Sequence, residues 1–451
     1  MDIPKAQQAI ARAQALTAEL TTELATAAAA LTDTPPAHGT YTAVTDRLVR
    51  PRPAPPTLGP AGYRFTDPTF GTALLRVTDE NTARGQSCRV PSNSHIAAWN
   101  SDSSKFYVVE AAGAARFFSF IEGNPSLLPD ETRGYIEPAF SYDNPDLVYC
   151  GGGANGRTIY TYNFSSHATN LVCDLDATYP ELCLTGYLGG LETTHHDVWV
   201  TAFGGESQDR HVYVHHSHAG LLDVREIGFH IHAISLDRSG RYVLVYPTGA
   251  DIQAGHAQVQ IWDTQSGTRA LRAITKLPGR LDPVTNMPGG HDTVGFGVWI
   301  NQDCCTRTTW DGMQWQIRRL DTPDQTEDLI VPTLEPQEIY ISDHQSWRHV
   351  TEGNAEPFLS SVYRRSVAGQ PDAPWRAWDD EIIAVTPDGN GVVYRFCHHQ
   401  SDAEGEFWAQ PIANISPDGR WAIFTSNWGR SLAPNLRAGD PRQDVFLVHL
   451  T

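Results

Sequence analysis

Seven places in the 451-residue chain combine a suitable side chain with a suitable position for metal or proton chemistry. They are His95, Glu137, His195 or His196, His230 with His232, His291, His344, and Gln410. Each stands near the start of a short apolar run of β type, as in "HIHAISLDRSGRYVLVYP" at 230–247. Neutral imidazole is the commonest protein ligand for divalent transition metals, and an amide or carboxylate oxygen can complete the shell. Three or four such histidines with Gln410 or Glu137 would make a metal site with an open position. Imidazole also titrates near neutrality, so it can take up a proton. The competing interpretation is a wet, polar lining in which histidines only hydrogen-bond water. In the pairs His195–His196, His215–His216 and His398–His399, only one member can face a common site if the segment is extended.

Residues scattered over more than 300 positions meet only if a repeating architecture brings them together. From Tyr63 onward one pattern recurs: polar entry, apolar strand, Asp/Ser/Asn/Gly turn, apolar strand. It is seen at 94–111, 136–152, 192–205, 230–247, 290–305, 343–396 and 411–429. Several short strands per unit, at a period of roughly 40–65 residues and with no helices between, predict a β-propeller. The fold expected is all-β: a seven-bladed β-propeller over 61–451, preceded by an N-terminal α-helical segment and Pro-rich linker over 1–60. The helix is predicted over 6–32, where Leu16, Leu20, Leu24 and Leu31 form a stripe suited to self-association or to packing on its own domain. The last strand, "QDVFLVHL" at 443–450, is expected to pair with the start of the repeat region at 63–79, closing the ring and covering its edges. "SPDG" and "TPDG" are expected to form tight hairpin corners.

Composition narrows the function. The net charge of −19 argues against nucleic acid as a partner, because phosphate binding needs a Lys/Arg surplus. No apolar run approaches the roughly 18 residues needed to span a membrane. The start "MDIPKAQQAIARAQ" lacks a signal-peptide pattern, so a cytoplasmic location is expected. Seven scattered cysteines without a CxxC pair suggest reduced, buried thiols rather than a disulfide framework. There is no GxSxG elbow, P-loop, HExxH or GxGxxG after a strand. "GGGANG" at 151–156 is expected to be a hairpin loop.

The stretch 230–305, with "HIHAISLDRSGRYVLVYP" followed by "GHDTVGFGVWINQ", resembles the oligogalacturonate lyases, seven-bladed propellers with TolB-like "SPDG" repeats. The resemblance implies β-elimination on uronic-acid sugars in the cytoplasm. It implies His232 as the catalytic base and His291 as first ligand of a divalent cation, manganese first, with calcium or zinc as alternatives. The remaining ligands in that family come from a Gln-x-x-His-x-His run. Here "DHQSWRH" supplies His344, Gln345 and His349 in another order, with Gln410 as a further donor. A small carbohydrate would be the partner. An arginine would fork onto a sugar carboxylate, with Arg348 first and Arg364, Arg365 and Arg395 as alternatives. His95, Glu137, His195, Trp299 and Arg395 are then candidates for substrate contact. Trp99, Trp347, Trp408 and Trp428 are further aromatics that serve either as sugar platforms or as core. Two other classes stay open: a non-catalytic binding or scaffolding propeller, and a hydrolase or isomerase using Glu137 and Asp292.

Overall fold

The structure is a computed structural model describing residues 41–450. It omits 130–136, 153–156, 179, 181–187, 196–197, 204–210, 217–221, 228, 248–259, 266–270, 274–297, 300–301, 309–313, 323–324, 331–338, 349–355, 365–373, 404–405 and 435–440. The helix expected over 6–32 lies outside the described residues. Among those described, helical structure is limited to short turns, Leu175–Thr178 and Phe407–Ala409 being the named ones.

The described chain is all-β with a propeller-like arrangement. Six sheets are four-stranded antiparallel meanders, each built from consecutive strands within 88–127, 139–174, 188–227, 231–273, 298–328 and 343–398. The remaining sheet departs from the regular unit expected throughout. It has five strands and joins both ends of the described chain, Arg64–Thr66 and Ala73–Arg76 with Asn414–Ile415, Trp421–Ser426 and Asp444–His449. Leu74, Leu75 and Arg76 pair with Val448, Leu447 and Phe446, which is the closure expected from the sequence. It gives the last strand a partner on each side and leaves it no open edge.

Aromatic side chains fill the spaces between neighbouring sheets. Phe106 stacks on Phe118, and Phe120 meets Trp421 of the closing sheet edge-on at 5.2 Å between ring centres. On the other side, Phe117 packs edge-on against Phe140 and Phe164 of the second sheet. Trp99, Trp347 and Trp428 are buried, and their indole N–H groups donate to the carbonyls of Asn414, Glu356 and Pro56. These three are core, as a buried indole with a satisfied N–H should be. The six described cysteines are free and buried, whereas Cys183 lies outside the described residues.

The expected hairpin corners form. Gly240, Gly389 and Gly419 take φ of 73°, 74° and 70°, the left-handed region open to glycine at little cost. In "DRSG" the Asp237 carboxylate accepts from the Ser239 and Tyr242 backbone N–H groups, fixing the turn. A Cβ at Gly240 would also come within 2.9 Å of Thr194 Cγ2. Gly240→Ala is therefore expected to cost about 2 kcal/mol, read as a lower denaturant midpoint with unchanged slope.

Residues 41–60, expected to be part of a linker, pack along the sixth and closing sheets. Val44 bridges to Arg395, Arg52 pairs with Asp380, and Tyr41 donates to the Gly419 carbonyl. Arg395, a candidate for substrate contact, is instead part of this scaffold. It stands on Val393–His398, the outer strand of the sixth sheet, and is fully buried. Its fork donates to Glu381 at 2.8 and 2.6 Å, and its Nη1 reaches Asp46 Oδ1 at 2.9 Å and the Leu48 carbonyl at 2.8 Å. The outermost strand of a sheet faces away from the channel, so this arginine is far from any shared mouth.

Candidate functional site at the channel

The first strand of each meander is the inner one. Leu188–Thr193 lies against Ala139–Phe140 on one side and Ile231–Leu236 on the other, and Asp343–Ser346 lies against Asn414–Ile415. Because the meanders follow one another in the same sense around the ring, their inner strands run the same way. Residues before these strands and residues after them therefore end up at opposite ends of the channel. A six-residue strand separates those ends by about 20 Å. The candidate residues divide on this basis.

One group lies at the entry end. His344 Nε2 is 2.6 Å from Gln410 Oε1, so two of the four predicted metal ligands meet. The His344 ring stacks on Tyr363 and faces the edge of Phe407. Phe407 packs edge-on against Trp408, and the Arg89 guanidinium lies over the Trp408 ring, 4.0 Å from its centre. Arg89 Nη1 donates to Glu137 Oε1 at 2.6 Å, and Ser92 holds the same carboxylate through its N–H and its hydroxyl. His344, Gln410, Trp408 and Glu137 thus belong to one continuous cluster, with Arg89 and Phe407 as members the sequence did not single out.

A second group sits on the axis. The inner strand of the first sheet is interrupted: Cys88 and Arg89 pair with Glu110 and Val109, and pairing resumes only at Trp99 with Phe106. The intervening loop reaches across the ring, where the Ser94 hydroxyl donates to the Gln345 carbonyl. Arg348, just past Asp343–Ser346, donates through Nη1 to the His95 carbonyl at 2.8 Å and to Glu192 at 3.3 Å, and through Nη2 to the Thr193 carbonyl at 3.2 Å. His95 Nε2 lies 3.5 Å from the other Glu192 oxygen. Burial lifts Glu192 well above the usual carboxylate range; Arg348 opposes the shift and Glu137 adds to it. Burial likewise lowers Arg348 from its ordinary value. Arg348, predicted to act in catalysis, thus ties the first, third and sixth sheets together across the axis.

His195 belongs to neither group. It follows Leu188–Thr193, at the end opposite to Gln410, and its Nδ1 pairs with Asp143 at 2.7 Å while its ring meets Tyr142 edge-on. Arg364 stacks over Trp375. His232 lies in the inner strand Ile231–Leu236, and Trp299 lies in Val298–Trp299. The side chains of both lie outside the described residues, as do His291, His349, Arg365 and Asp292.

His344 and Gln410 offer an imidazole nitrogen and an amide oxygen, a donor pair suited to a first-row divalent cation. Among the described residues no three His, Cys, Asp or Glu side chains group to hold a metal ion. Gln345, the other glutamine near this place, is committed to Thr306 and Thr308 of the fifth sheet and to Asp343 of its own.

Arg89 escaped notice because the loop at 90–97 displaces the recognisable repeat pattern downstream, leaving "CR" as an isolated two-residue strand. Phe407 sits on a single helical turn whose exposure no local pattern announces.

No protein-family model matches the sequence, and no curated protein does. Solved structures are similar in fold. One is an oligogalacturonate lyase in complex with manganese, at 13% identity and a TM-score of 0.56, covering 88% of this chain and 98% of that one. Another is the oligogalacturonate lyase of Vibrio parahaemolyticus, at 11% identity and a TM-score of 0.56, covering 86% and 96%. At such identity the likeness establishes architecture alone: nearly nine-tenths of this chain shares the all-β, propeller-like fold of the oligogalacturonate lyases.

Proposed function

We propose that this protein is a lyase that cleaves uronic-acid-containing oligosaccharides by β-elimination at the entry end of its channel. The observation that supports this most is the clustering there of His344, Gln410, Arg89, Glu137 and Trp408, in a fold shared with oligogalacturonate lyases. The reaction removes the weakly acidic proton next to the sugar carboxylate, forms a double bond in the ring, and breaks the glycosidic bond at the β position. The departing oxygen is then protonated.

His232, on an inner strand, is assigned the proton abstraction, for which a near-neutral imidazole is suited. Arg89 presents a guanidinium that can orient a carboxylate, and Trp408 offers a ring face. A divalent cation held by His344 and Gln410, with His291, would supply Lewis-acid polarisation of that carboxylate. Manganese is the first choice, since one relative was solved with it.

The test measures metal content and products together. Purified wild type is expected to carry near-stoichiometric manganese and to release unsaturated oligosaccharides, seen by ultraviolet absorbance and mass spectrometry. His344→Ala combined with Gln410→Ala should lose both while remaining folded. If wild type forms no unsaturated product from any uronic-acid oligomer, with or without added manganese, the lyase assignment is wrong.

A further inference from the structure

Two large aromatic side chains stand out at the entry end because they are not core. Phe407 and Trp408 are 45% and 46% exposed, whereas Trp99, Trp347 and Trp428 are buried. Their exposure is built in. The turn carrying them is closed by Ala409 N–H to Glu406 and Gln410 N–H to Phe407, and the Ser401 hydroxyl holds the Ala409 carbonyl. Fixed apolar surface beside polar groups marks a place where a ligand is received.

Arg89 gives that surface a chemical preference. Its guanidinium stacks on the indole, a cation–π contact that fixes the plane of the fork. Nη1 is held by Glu137 and the Val90 carbonyl, while Nε and Nη2 have no hydrogen-bond partner among the described residues. A carboxylate taken by that free edge lies in the guanidinium plane. The ring bearing the carboxylate then lies in the same layer, beside the exposed corner where Phe407 and Trp408 meet edge-on.

We propose that Trp408, Phe407 and Arg89 form a subsite for a single uronic acid residue, with its ring against the exposed aromatic corner and its carboxylate on Arg89. The choice of a sugar acid rests on the lyase assignment above, but the subsite itself requires no metal and no catalysis. Glu137 plays a signed part. It holds Arg89 in place and also offsets its charge, so removing that negative charge should favour an anionic ligand.

The test is calorimetric titration of the full chain with methyl galacturonide and methyl galactoside, which offer no inter-residue bond to cleave. Wild type is expected to bind the galacturonide about tenfold more tightly than the galactoside. Arg89→Gln should abolish that preference, Trp408→Ala should weaken both ligands about tenfold, and Glu137→Gln should strengthen the galacturonide alone, about threefold. Unchanged thermal unfolding keeps these readings free of folding effects.

Equal binding of the two glycosides by wild type overturns the subsite, and so does wild-type binding in both Trp408→Ala and Arg89→Gln. If that occurs while unsaturated products still form, the subsite alone is wrong. If Arg89→Gln loses the preference and no oligomer is ever cleaved, the subsite stands and the lyase assignment falls.

Discussion

Arg395→Met is expected to destabilise the protein by about 3–5 kcal/mol, the cost of leaving a buried carboxylate without its partner. Glu381 and Arg395 are both fully buried, and the pair is bidentate. Arg395 also anchors the segment through Asp46 and Leu48, so its loss should free residues 44–48 to hydrogen exchange. The double variant Arg395→Met with Glu381→Gln should recover much of the loss, because the stranded charge is gone. A denaturant midpoint for Arg395→Met equal to that of wild type would show that the network contributes nothing.

The same pair sets a pH dependence. Burial, only partly offset by Arg395, pushes Glu381 from an ordinary 4.5 up to about 7. The unfolded chain gives up this proton near 4.5, whereas the folded protein keeps it to about 7. Over that window the folded state binds more protons, so the contribution of Glu381 to stability falls as pH rises. Relative to Glu381→Gln, wild type should lose stability between about pH 5 and about pH 8. A constant difference between the two proteins across that range would contradict the linkage.

Arg348→Met should have the second largest effect, about 2–4 kcal/mol, because three acceptors from two other sheets lose their donor at once. The penalty stays below that of Arg395→Met because Arg348 meets Glu192 through one nitrogen at 3.3 Å, whereas Arg395 holds Glu381 through two at 2.8 and 2.6 Å. Arg348→Lys should recover only a fraction, since an ammonium cannot span the His95 and Thr193 carbonyls as a planar fork does. Releasing the 90–97 loop should also loosen Ser92 from Glu137, so galacturonide binding should weaken in step with stability. Equilibrium unfolding and calorimetric titration of the same variants check both parts. Full stability in Arg348→Met would remove its role as the axial tie.

What the sequence by itself determined about this protein is local and periodic. Turn chemistry such as "DRSG" and "SPDG" is written in a few adjacent residues, because Asp side-chain acceptors and a glycine at positive φ suffice to specify it. Alternating strands and turns revealed the all-β repeat, and the last strand pointed to ring closure with the start of the repeat region at 63–79, where Leu74, Leu75 and Arg76 make the pairing. Placing polar residues at strand entries brought His344 and Gln410 to a common place.

Only the tertiary structure decided which end of the channel each residue occupies and which charges are committed elsewhere. His195 and Gln410 look equivalent in the sequence, yet one follows its inner strand and the other precedes it, so strand direction sends them to opposite ends. Arg348, Arg395 and Arg89 are equally plausible carboxylate binders as letters. Closure of the ring buries the first two against Glu192 and Glu381 and leaves the third with an open edge beside Trp408. Ser94 and Gln345 meet across 251 residues of chain. Short-range backbone preferences fix strands and turns, but the desolvation and pairing of a charge depend on neighbours supplied only when distant sheets come together.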